Sequence, residues 1–197
     1  MQLPIQYQAA LAVAHQATSL KTRTWPTPFF PVHHHAEQMA TEAMRLNLDS
    51  AAVKAAILHD LVLMSPITLD DIERVAGHET ADLVQLMTPD TRVLENPAQF
   101  DLTAYCADVA RSSTVVQTLV LMDWLQTASL IGASSPALAP GLGLHLQQVA
   151  TALHQAPHVL QARAAWIASW LERRPYEQQV AQYAVQSSLR SNPVANL

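Results

Sequence analysis

Cysteine is almost missing from this chain. Cys106 stands alone, which excludes an internal disulfide and fits a reducing compartment. Glycine is scarce too, at 4 residues in 197, and beside abundant alanine and leucine that shortage favours helices. No stretch alternates apolar and polar residues as a half-buried strand does, and there is no internal repeat. Basic residues form no block and the formal net charge is -5, which excludes a general affinity for nucleic acid or for anionic membrane. A single anionic small molecule stays compatible, because a few local cations suffice. No apolar run reaches the roughly 18 residues of a membrane span, and the N-terminus lacks the parts of a signal peptide. The expectation is a soluble cytoplasmic protein with a small-molecule partner, open to homo-oligomer formation.

What is present is a globular composition, 50% apolar and 14% charged, long enough to bury a core. Helical patterns cover residues 3–20, with Ile5, Ala9, Leu11 and Ala12 on one side, then His33 to Leu46. Another helix runs to about Leu63, capped by Asp49 or Ser50. Residues 21–32 are a proline-interrupted loop. Thr68 and Asp71 form a capping box and Gly77 supplies the C-terminal stop of a short helix. A helix over 79–88 follows, then an irregular stretch to 110. A strongly apolar helix extends from Ser112 or Ser113 to about Gly132. Residues 133–142 read as a linker, and helices fill 143–155, 157–172 and 176–189. The fold class is all-α, with a helical domain over 1–132 and a C-terminal helical extension over 133–197 packed on it.

Four residues stand out because they are costly where they lie. His59 and Asp60 close the run Ala-Ala-Ile-Leu-His-Asp at residues 55–60. A carboxylate beside a core-facing histidine costs several kcal/mol unless it is paired or binds a cation. Asp123 sits within Val115–Leu125 on the face of Val116, Leu119 and Leu130. There it is neutral, hydrogen-bonded to a backbone donor or to Gln126, or bound to metal. His33-His34-His35 begins a helix. Successive helical residues point about 100° apart, so at most one or two of the three can serve one site. His35, His59, Asp60 and Asp123 together make a mixed nitrogen and oxygen set suited to a divalent first-row metal such as Mn, Fe or Zn. Such a site leaves positions open for water, which the metal activates for attack on phosphorus.

The order His … His-Asp … Asp on helices resembles the HD phosphohydrolase superfamily, and in particular the (p)ppGpp hydrolase domain of the RelA/SpoT type and its small stand-alone relatives. The resemblance runs from about residue 8 to residue 127. It rests on Ala14-His15, the 24 residues from His35 to His59, Leu48-Asp49 … Ala55-Ala56-Ile57-Leu58-His59-Asp60, the segment Ser65–Ile72 with Ala76-Gly77 and Ala81–Val84, and Leu121-Met122-Asp123. It implies an HD-domain helical bundle, His35, His59, Asp60 and Asp123 as metal ligands, Mn as the metal, and removal of the 3′-pyrophosphate of (p)ppGpp. A basic residue near Lys21 and Arg23 touches nucleotide in that family, and Thr127 stands where the family has an asparagine that helps hold phosphate or ribose. These three are the expected substrate-binding residues.

The departures fall where chemistry is expected. Leu63 and Met64 replace a Glu-Asp pair that positions or activates the attacking water, a task neither side chain can perform. Val120 or Leu121 replaces a lysine, and Ala36 a proline. Glu37 is a candidate substitute base, set against a plain solvated carboxylate. A degenerate, non-catalytic binder of nucleotide or of a protein partner is the alternative to the hydrolase. Elsewhere, His15 and the Trp166, Trp170 and Leu171 seam read as packing, Lys54 as solvated, and His78 as too solitary for a second iron.

Overall fold

The computed structural model describes residues 3–18, 32–89, 100–135 and 137–191. Among them every regular element is helical. A single 3-10 turn, Ile5–Tyr7, leads into α1 (Gln8–Thr18). Then come α2 (Val32–Arg45), α3 (Ser50–Leu58), α4 (Leu61–Met64), α5 (Leu69–Ala76) and α6 (His78–Met87). The second half holds α7 (Leu102–Ala110), α8 (Thr114–Ser134), α9 (Ala139–Ala152) and α10 (His158–Ser191).

Helix boundaries follow side-chain chemistry. Asp49 accepts from the Ala52 amide at 2.8 Å and caps α3, while Ser113 accepts from Val116 at the start of α8. The expected capping box at Thr68 and Asp71 is formed, and Gly77 ends α5 at φ 97°, a conformation that suits glycine. At the end of α2, Asn47 takes φ 55°. The Leu48 amide donates to the Ala43 carbonyl and the Asn47 amide to that of Met44, both at 3.0 Å. That is a Schellman closure, and it turns the chain so that α3 packs back along α2.

α8 is the central element. It is apolar on all sides, as a fully surrounded helix must be, and Val116 to Met122 are all buried on it. α2 and α6 pack on it, and so do α9 and α10 from the C-terminal part. By averaged hydropathy its Thr114–Ala133 segment is long and apolar enough to cross a membrane, despite the count of unbroken apolar runs. The averaging tolerates Gln117, Asp123 and Gln126, and 78% of the window is buried inside the fold. Gln117 ties the C-terminal helices to this core. Its amide donates to the Ala110 and Ser112 carbonyls and its oxygen accepts from the Gln155 amide.

Several expectations need correction. Ile5 is 91% exposed, because the chain there is a 3-10 turn, and Leu3 and Tyr7 are buried instead. The helix expected to reach Leu63 is divided at His59 and Asp60, and a helix, α7, occupies part of the stretch read as irregular. Most of the supposed linker is helical: α8 continues to Ser134 and α9 starts at Ala139, where Pro140 in the first turn removes no needed donor. Pro175 lies inside the continuous α10 and does not divide it. On that helix Trp166 is 64% exposed, and the buried stripe is Leu160, Ala164, Ile167, Ala168 and Leu171.

Cys106 on α7 is buried, and burial pushes its thiol up from the ordinary 9.0 to about 11. The native state therefore keeps this proton where the unfolded chain loses it, so its contribution to stability declines as pH rises from 9.0 toward about 11. At neutral pH the thiol is expected to resist Ellman's reagent in the native protein and to react stoichiometrically in denaturant. Rapid native labelling would contradict the burial.

Candidate metal centre

Three helical segments deliver the cluster. α2 supplies His35 on its first turn, fully buried, whereas the neighbouring His34 is exposed. The turn between α3 and α4 supplies His59 and Asp60, 6% and 4% exposed. α8 supplies Asp123, whose side chain keeps 17% of its exposure.

Asp123 is the hub. Its Oδ1 lies 2.9 Å from His35 Nε2 and 3.8 Å from His59 Nε2, and it accepts from the Thr127 hydroxyl one turn on, at 3.2 Å. His59 Nε2 is also 3.5 Å from Asp60 Oδ1. The two imidazoles meet edge to face with centroids 5.1 Å apart. On the far side of its ring, His59 Nδ1 is 3.0 Å from the Ala56 carbonyl oxygen. A carbonyl only accepts, so the proton is on Nδ1. In the neutral ring the Nε2 lone pair then points to the cluster, the tautomer a metal ligand needs.

The ligand atoms of His35, His59 and Asp123 all lie within 4.8 Å of one another. Ligands about 2.1 Å from one ion are about 3 to 4 Å apart, so the spacing and donor chemistry fit a divalent cation. A His-His-Asp cluster capable of coordinating a metal is thus present, with Asp60 beside it. The donor set leaves Mn, Fe and Zn equally possible.

A small pocket opens beside the cluster. Thr127 lines it, buried, with its hydroxyl given to Asp123. Of the two positions where the resemblance expects carboxylates, Leu63 lines the pocket, and Met64 is not among its described walls. The remaining walls, Met87, Thr88, Pro89, Tyr105 and Trp124, went unrecognised in the sequence. Only the adjacency of Trp124 to Asp123 offered a signal. Lys21 and Arg23, like Trp25, Phe29 and Phe30, lie outside the described residues. Glu37 pairs with a half-exposed His15 at 3.1 Å, which accounts for both. Lys54 is partly buried, its ammonium donating to the Ala76 carbonyl at 3.4 Å. His78 is exposed between Glu73 and Asp82.

Comparison with known proteins adds the fold. No protein-family model and no curated protein sequence matches the chain. Among solved structures, a metazoan orthologue of SpoT, reported to hydrolyse ppGpp and to act in starvation responses, matches with a TM-score of 0.70 and 20% identity, covering 85% of this chain and 96% of that one. The protein lmo0812 from Listeria monocytogenes EGD-e matches with a TM-score of 0.61 and 18% identity, covering 78% of this chain and 99% of its own. At these identities the likeness is one of fold alone, an all-α helical bundle.

Proposed function

We propose that this protein is a metal-dependent phosphohydrolase acting on (p)ppGpp or a related nucleotide, with His35, His59, Asp60 and Asp123 as the metal ligands and Mn as the first candidate metal. The observation that carries the reading is the convergence of His35, His59 and Asp123, from segments far apart in sequence, on one buried point. A divalent cation bound there supplies Lewis-acid stabilisation of a phosphoryl oxygen and an acidified water. The chain's own residues do the rest. The Ala56 carbonyl holds His59 in its ligating tautomer, Thr127 orients the Asp123 carboxylate, and the walls around Leu63 shape the space for substrate. The proposed substrate-binding residues are Thr127, Lys21 and Arg23.

One observation favours a second reading, a binding protein of the same fold: Leu63 faces the pocket where a water-positioning carboxylate is expected. Release of pyrophosphate or phosphate from ppGpp, pppGpp, ppApp and nucleoside phosphates, measured with added Mn, Fe or Zn, separates the two. The hydrolase gives turnover that EDTA abolishes and Asp60→Ala lacks. Bound metal with no turnover on any substrate leaves the binder.

A further inference from the structure

A second opening lies between α2, α8 and α10. It is a groove of about 520 Å³, and none of the four candidate metal ligands lines it. That volume falls within the range of about 300 to 1,000 Å³ usual for a small-molecule site.

The charges along the groove are separated. At one end Arg45 and Arg163 share a single carboxylate, Glu42, at 3.5 and 2.9 Å. Two guanidiniums against one carboxylate leave that end positive. At the other end Glu37 pairs with the half-exposed His15 at 3.1 Å, and with histidine counted neutral that end is negative. Glu37 and Arg45 are eight residues apart on α2, a rise of about 12 Å.

Between the ends the lining is polar and uncharged. The Thr41 hydroxyl donates to the Glu37 carbonyl at 2.8 Å, and that of Ser129 to the Leu125 carbonyl at 2.6 Å. Both protons are committed, so these oxygens face a ligand as acceptors. Gln126 also lines the groove, only 9% exposed, and its amide oxygen has no hydrogen-bond partner. A buried amide left in this way is costly until a donor reaches it. No aromatic ring is among the described walls, so a nucleobase finds no ring to stack on.

A ligand matched to this order has a cationic end, an anionic end about 10 Å away and N–H groups between. An extended peptide advances about 3.3 to 3.6 Å per residue, so a free tripeptide covers that span with its own termini as the charges. We propose that this groove is a second ligand site, which takes a short zwitterionic peptide of about three residues, its ammonium at Glu37 and its carboxylate at Arg45 and Arg163. The site does not depend on the phosphohydrolase reading.

Calorimetric titration of the full chain with trialanine tests it, at low ionic strength because salt screens exposed charges. Trialanine is expected to bind at least about tenfold tighter than its doubly capped form, N-acetyl-trialanine amide, from hydrogen bonds to charged groups. Free alanine, too short to reach both ends, is expected to bind as weakly as the capped peptide. Arg45→Gln is expected to weaken trialanine and to leave trialanine amide unaffected. Glu37→Gln is expected to weaken trialanine and to leave N-acetyl-trialanine unaffected. Circular dichroism checks the fold of both variants. Equal affinity for free and doubly capped trialanine, or no binding of trialanine by the wild-type chain at millimolar concentration, overturns the proposal. So does a loss in either variant that is the same for the free and the matching capped peptide.

Discussion

Asp123→Ala is expected to lower divalent-metal affinity by about a thousandfold and to abolish metal-dependent hydrolysis. The residue is the carboxylate of the convergent His-His-Asp group, and its Oδ1 approaches both histidines. Losing a partner that merely orients a ligand costs about 10- to 100-fold in affinity, and losing the ligand itself costs more. Thr127→Val supplies the graded control. It removes the 3.2 Å hydrogen bond to Asp123 but no candidate ligand, so it belongs in that about 10- to 100-fold range. The apoprotein of Asp123→Ala should still fold, because the apolar packing of α8 does not depend on the carboxylate. Calorimetric titration with Mn and a urea melt of the metal-free protein separate the two effects. Wild-type affinity in Asp123→Ala would place the metal elsewhere.

Gly132→Val is expected to cost about 2 to 3 kcal/mol of folding stability, near the upper end for overpacking a core. Gly132 lies on α8 facing α10, and a Cβ there would run into Leu171 Cδ2, with Trp170 Cζ3 at 3.4 Å. Leu171 is fully buried, so it has little room to withdraw. Gly132→Ala should cost less, since alanine recovers about 1 kcal/mol of helix propensity against the clash. At Gly141 on α9 an added Cβ meets nothing within 4 Å, so Gly141→Ala should be neutral or stabilising. Urea midpoints for the three variants give the ranking. If Gly132→Val leaves the midpoint unchanged, α10 is not seated on α8 in this register.

The His-His-Asp cluster was legible because its members are expensive where they lie. A histidine and an aspartate ending the apolar stretch 55–60, and a lone aspartate within 115–125, break the rule for buried helices, and the structure brings His59 and Asp123 together with His35, Asp60 lying beside His59. The caps at Thr68 and Ser113 were legible because capping is local. α7 was not recognised, although Asp101 caps it, accepting from the Ala104 amide at 3.0 Å. Its buried positions Cys106 and Val109 are too few to set a period. Pro175 misled because a missing donor is a local penalty, which a helix can absorb. The pocket walls were beyond reach for a different reason. Leu63, Met87, Tyr105 and Trp124 come from four helices, and no spacing within any one of them encodes that they meet.

The closure of α2 at Asn47 also explains the number 24. From His35 to Arg45 is ten helical steps, and from His59 back to Ser50 is nine, so the two arms rise about 15 and 14 Å at 1.5 Å per residue. With a tight reversal between them, the histidines arrive level with each other, as their 5.1 Å ring separation records. The separation is therefore a ruler of two matched arms. Adding one residue to either arm would swing a ligand about 100° around its axis and out of the cluster. The reversal is the place where this molecule could change length and keep its ligands facing each other.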